Sequence, residues 1–310
     1  MLRNLAQVPL QEQLDFIDSF DHVVSDIDGV LWVASKTLPG SPECIATFKN
    51  LGKRVNYVTN QAVNTVDAIY GRMKQCGISG EPEDIVNPLV GVVDYLKKIK
   101  FNKELFVLAS NVYKNELRKA GFKVAPDPPQ IIDESISGLL SNITDDENIG
   151  AVVYDYDLNL TFVKLQKCLT YLKRKDCLFI VGGGDKQMPV GELGPIFGNH
   201  YFYQGLREIS GREPIQFAKP SVHYNEFIVK KFNITDPKKV LFIGDMINED
   251  MKFAAVGGYH KLLVLTGTAT KEDVMSWKHP EDCKPTYYVD SLGVLNEIMQ
   301  CFNDKKHKKL

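Results

Sequence analysis

Short apolar, β-branched runs alternate along the chain with stretches whose apolar positions recur at helical spacing, the pattern of a parallel sheet covered by helices. Runs at 23–26, 54–59, 239–245, 262–266 and 286–289 predict strands, and the first three end in polar residues. Ser41-Pro42-Glu43 predicts a helix start, with Ser41 as N-cap, proline at the first helical position and an acid in the first turn. A second helix runs from Thr65 to Gly77, a glycine suited to a C-terminal cap, and a third covers 251–256. The middle of the chain repeats the grammar, with strands at 105–109, 151–154 and 177–181 and helices at 115–120 and 162–172. The expected fold class is α/β, a doubly wound parallel-sheet (Rossmann-like) core with an inserted α/β domain. Residues 1–102 and 209–310 are assigned to the core and 103–208 to the insert.

Chemistry concentrates where the predicted strands end. Ser25-Asp26-Ile27-Asp28-Gly29 hangs two carboxylates off a buried strand, on the same side of an extended segment. In open α/β sheets the crevice beyond the strands' carboxyl ends is where ligands bind. Asp245 closes a second such strand, more than two hundred residues away in sequence. Like charges this close need a cation between them or a proton on one of them. Three carboxylates, Asp26, Asp28 and Asp245, suggest Mg²⁺, which takes a few carboxylates and fills its remaining positions with water and phosphate oxygens. Lys219 adds a positive charge and Thr59 a hydroxyl for a phosphate oxygen. The reaction natural to this set is phosphoryl transfer through an aspartyl phosphate, with a second Asp moving protons.

Charge and composition narrow the partners. In 310 residues, 37 Lys and Arg against 39 Asp and Glu give a net charge of −2, no basic field for nucleic acid or acidic lipid. The expected partner is a small-molecule phosphate ester, with neither nucleic acid nor membrane. Six cysteines without metal-ligand or CxxC spacing read as reduced thiols, and the first fifteen residues lack a secretory layout, so a cytoplasmic protein is expected. Lys308-Lys309-Leu310 reads as a frayed, solvated tail.

Six stretches, Asp26-Ile27-Asp28-Gly29-Val30-Leu31-Trp32, Tyr57-Val58-Thr59-Asn60, Ser210-Gly211-Arg212, Lys219-Pro220-Ser221, Phe242-Ile243-Gly244-Asp245 and Leu263-Val264-Leu265-Thr266-Gly267, together resemble the haloacid dehalogenase-like phosphatases. The resemblance covers nearly the whole chain and extends to the subgroup with 4-nitrophenyl phosphatase, phosphoglycolate phosphatase and pyridoxal phosphate phosphatase. It implies Asp26 as nucleophile and Asp28 as general acid/base. Thr59, Asn60, Gln61 and Lys219 are implied as phosphate or substrate contacts. Magnesium is implied on Asp26, Asp245 and the backbone carbonyl of Asp28, with Asp250 supporting it. The insert is implied to be a cap, often dimerising in relatives, with Asp185 facing the active site.

Departures bear on the substrate more than on the reaction. Gln61-Ala62-Val63-Asn64 lacks a basic residue common in relatives, Gly182-Gly183-Gly184-Asp185 replaces Thr-Asn-x-Asp, and Phe197-Gly198-Asn199-His200-Tyr201 is bulkier than the usual small-residue run. A phosphate-ligand binding protein with weak catalysis, a phosphoprotein phosphatase and a phosphotransferase stand as alternatives. Leu31 and Trp32 are expected to pack a flap behind the acidic loop, and Asp155 and Asp157, around Tyr156, to serve turn chemistry.

Overall fold

The computed structural model describes residues 2–189 and 195–307, so Lys308, Lys309 and Leu310 lie outside the described residues. The chain divides into two compact units. The first takes the residues up to Thr59, Val66–Val86 and those from Lys219 on; the second takes Asn60–Thr65 and Asn87–Ala218.

In the first unit six parallel strands lie in the order Tyr287–Val289, His260–Val264, Val240–Gly244, His22–Ser25, Arg54–Val58, Ile85–Val86. Four consecutive buried residues make His22–Ser25 the central strand, with Val24 opposite Phe242 on one side and Asn56 on the other. From this strand the chain winds first one way, to Arg54–Val58 and Ile85–Val86, and later the other, to Val240–Gly244 and beyond. The order therefore reverses beside His22–Ser25, and the loops there diverge and leave a crevice. The strands are mostly apolar and buried, as in a sheet covered on both faces. Phe16, Phe20 and Phe48 pack edge-on beneath it.

The strands expected at 23–26 and 239–245 stop one residue earlier, at Ser25 and Gly244. Asp26 and Asp245 are thus the first residues past the strand ends. The helix Ser41–Asn50 is present, but its N-cap is Gly40 at φ +80°, not Ser41. Ser41 is instead buried, its hydroxyl donating to the carbonyls of Leu31 at 3.0 Å and Leu38 at 2.5 Å. Gly40 is required on a second count, because a Cβ there would lie 2.4 Å from the Cα of Gly293. The helix expected at 251–256 is Lys252–Gly257, entered through a π turn at Ile247–Met251.

The second unit holds its own parallel sheet, ordered Ile215–Gln216, Leu178–Val181, Ile149–Tyr154, Glu104–Leu108, Lys123–Val124. It extends past the expected limits of 103 and 208, because the helix Pro88–Lys98 and the strand Ile215–Gln216 group with it. Ile215 and Gln216 pair with Ile180 and Val181, a contact that local periodicity cannot reveal in two residues.

Candidate active site

Within the first unit four charged side chains from three separate stretches of the sequence meet at the carboxyl end of the central strands. Asp26 follows its strand directly, its N–H still donating to Ile243 O at 2.8 Å, which fixes where the carboxylate starts. Lys219 Nζ lies 2.5 Å from Asp26 Oδ1 and 2.7 Å from Asp250 Oδ1, and donates to Val58 O at 3.3 Å. Asp250 Oδ2 accepts the N–H groups of Asp245 and Met246 at 3.1 and 3.0 Å. Oδ2 of Asp250 is therefore committed to the backbone, while its Oδ1 meets Lys219 as an ion pair and otherwise makes no hydrogen bond. Asp245 Oδ2 accepts the Thr268 N–H at 2.6 Å, but Asp245 Oδ1 is buried with no hydrogen-bond partner.

That orphaned oxygen tests whether a metal fits. Among the described residues, Asp26, Asp245 and Asp250 bring carboxylate oxygens within 4.8 Å of one another. Three buried carboxylates face a single ammonium. Burial is the main force raising the pKa of Asp26 well above the carboxylate range; Lys219 opposes it, and Asp250 and Asp245 add to it. Burial, then Asp250, pushes Asp245 up to about 6. Burial works against the charge on Lys219, yet Asp250 and Asp26 outweigh it and hold the ammonium protonated. The pocket is short of positive charge, and its all-oxygen donors suit a hard divalent cation. The residues fit the group. The side chain of Asp28 stands outside this cluster and Asp250 within it.

Glycines make the room. Gly29 has φ +86°, and a Cβ on it would lie 2.5 Å from Asp245 Cγ. One on Gly267 would lie 2.0 Å from Asp245 Oδ2. Thr266 closes the same loop by donating to Gly29 O at 2.6 Å.

Asp28 is exposed as a residue, yet burial of its carboxyl is the main force raising its pKa, opposed first by the bond from Trp32. Its Oδ1 accepts the indole N–H of Trp32 at 2.9 Å, and Thr59 Oγ1 lies 3.5 Å from its Oδ2. Asn60, Gln61 and Asp185 belong to the second unit. There Asp185 accepts Tyr156 O–H at 2.9 Å and the Asn60 amide at 3.3 Å, and Gln61 Oε1 accepts from Asn64. Asp155 is more than a turn residue. It is buried and accepts N–H groups from Tyr156 at 2.7 Å and Gly183 at 3.1 Å. Asp157 pairs with buried Lys164 at 2.7 Å. Nothing local in the sequence marks Thr268 or the Trp32 N–H as site groups, and the steric role of Gly267 depends on Asp245 from another loop.

A strand-end carboxylate, a buried lysine and an orphaned carboxylate oxygen are the groups that phosphoryl transfer calls for. Comparison with known proteins agrees. The family model of haloacid dehalogenase-like hydrolases matches residues 23–123, and a related model of that hydrolase class matches 216–295. The 4-nitrophenylphosphatase of Schizosaccharomyces pombe is 31% identical over 93% of this chain and 97% of its own length. Phosphoglycolate phosphatase 1A of Arabidopsis thaliana is 27% identical over 94% and 80%. The structure of a p-nitrophenyl phosphatase from Archaeoglobus fulgidus superposes with a TM-score of 0.75 at 24% identity, covering 90% of this chain and 99% of that one. The chain belongs to the haloacid dehalogenase-like hydrolases. Within them it is a phosphatase.

Proposed function

We propose that this enzyme is a Mg²⁺-dependent phosphatase of small phosphomonoesters, of the size of 4-nitrophenyl phosphate, phosphoglycolate or pyridoxal phosphate, acting through an aspartyl phosphate on Asp26. The observation that carries it is the buried Asp26–Lys219–Asp250 contact beside the unpartnered Asp245 Oδ1. A carboxylate oxygen of Asp26 attacks phosphorus as the ester P–O bond breaks, and Lys219 and Thr59 hold the phosphoryl oxygens. Asp28 gives its proton to the departing alkoxide, then takes one from water as that water displaces the Asp26 carboxylate from phosphorus. Asp26, Asp245 and the Asp28 carbonyl would hold Mg²⁺, with Asp250 anchoring the loop around Asp245. Bound there, the ion supplies the positive charge that the three carboxylates and the phosphate lack.

The second unit, with Asp185, Asn60 and Gln61, is the proposed selector of the leaving group, since phosphate-binding groups read all phosphomonoesters alike. A homodimer through that unit is supported by exposed Phe197, Tyr201 and Phe202, and cytosolic residence by six free cysteines. The test is hydrolysis of 4-nitrophenyl phosphate with Mg²⁺, with chelator, and by Asp26→Asn. Turnover lost in both arms is expected. An inert wild type that still binds phosphate esters in calorimetry points to the binding-protein alternative.

A further inference from the structure

Asp28 does not stand alone in its loop. The indole N–H of Trp32 reaches its Oδ1 at 2.9 Å, and Trp32 is only 2% exposed. The Gly29 N–H in turn donates to the Trp32 carbonyl at 2.8 Å, closing the loop between them. Trp32 begins a small hairpin, Trp32–Val33 against Lys36–Thr37, whose turn residue Ala34 is held at φ +47°. Arg72, from the helix Val66–Gln75, lies 4.2 Å over the indole ring and donates to the Ala34 carbonyl. One guanidinium thus pins both the ring and the turn that carries it.

An indole nitrogen donates and cannot accept. With Oδ1 filled by that donor, a proton on Asp28 is directed to Oδ2, the oxygen 3.5 Å from the Thr59 hydroxyl. We infer that Trp32, clamped by Arg72, is a positioning residue that selects Oδ2 of Asp28 as the atom that carries and returns the catalytic proton. The inference rests on the proposed acid/base role of Asp28. In the forward step the Oδ2–H bond breaks and the proton goes to the leaving-group oxygen as its bond to phosphorus breaks. In the second step a water O–H breaks, its proton returning to Oδ2 while the water oxygen bonds phosphorus and the acyl phosphate opens.

The test is Trp32→Phe, which keeps an aromatic ring under Arg72 but removes the N–H together with part of the bicycle, assayed as kcat/KM over aryl and alkyl phosphate monoesters. That ratio reports the steps up to phosphorylation of Asp26. General acid catalysis contributes about 10²–10⁴-fold and matters least for an acidic leaving group. The expected loss is about tenfold for an alkyl ester and about twofold for 4-nitrophenyl phosphate. Arg72→Met, which keeps the indole N–H but frees the hairpin, should show the same selective loss, smaller in size, and decides the matter if Trp32→Phe does not fold. Equal losses across the series, or none, overturn the inference. Asp28→Asn on the same esters separates the two readings. If it keeps alkyl-ester turnover, the acid/base role itself fails; if it collapses while Trp32→Phe tracks wild type, only the role of Trp32 fails.

Discussion

Lys219 is the residue on which the charge balance of the site depends. It is 4% exposed and touches Asp26 and Asp250, so removing it leaves carboxylates buried without compensation. Breaking a buried pair from one side costs about 3–5 kcal/mol, because the remaining charge must be neutralised or hydrated. Lys219→Ala is therefore expected to lower the unfolding free energy by that order in chelator, measured by denaturant titration. Activity should fall at least a hundredfold. Unchanged stability would mean that the ammonium is not what keeps Asp26 and Asp250 together. The Asp245 oxygen gives a second expectation. A divalent cation bound to the folded state alone adds about 2.7 kcal/mol at a hundred times its Kd. Mg²⁺ should raise the melting temperature of wild type and not that of Asp245→Asn, followed by thermal shift.

Loops carry the chemistry at the scale of elements, and glycines let them approach. Gly29 ends the acidic loop in the left-handed region, with Asp245 where its side chain would be. Gly29→Ala meets backbone strain of roughly 1–3 kcal/mol and a clash with the candidate metal ligand. The expected result is a weakened Mg²⁺ response and at least a tenfold loss of kcat, checked by metal titration of the activity. Wild-type metal affinity in that variant would show that Asp245 can move aside without cost. The central strand sets the register of both acidic loops, since Ser25 pairs with Ile243 on one side and Tyr57 on the other.

At the scale of the whole molecule, stability should follow pH through a group outside the proposed catalytic set. Burial, against the N–H groups of Tyr156 and Gly183, raises the pKa of Asp155 to about 7. A carboxyl whose folded pKa exceeds its unfolded one stabilises fully below the unfolded value, and that contribution is lost as pH rises through the folded value. The slope is at most about 1.4 kcal/mol per pH unit between roughly pH 4 and 7. Wild type should lose stability over this window relative to Asp155→Asn, measured by urea unfolding at several pH values. Parallel curves for the two proteins would place Asp155 as an ionised acceptor throughout.

The sequence by itself determined the α/β class, the strand ends and the residues standing on them. Those follow from apolar runs of four to seven residues, the first three of them closed by polar residues, and from motif spacing that local chain geometry carries. Asp26, Asp28 and Asp245 were legible for that reason, and Lys219 through the family-like stretch around it. Tertiary structure alone decided the rest. The limits of the second unit depend on Ile215 and Gln216 pairing with a distant strand. The unpartnered oxygen of Asp245, the burial of Asp155 and the bond from Trp32 to Asp28 depend on which segments meet. A side chain's partner, burial and free lone pair are properties of a neighbourhood assembled from remote parts of the chain, and no local pattern specifies them.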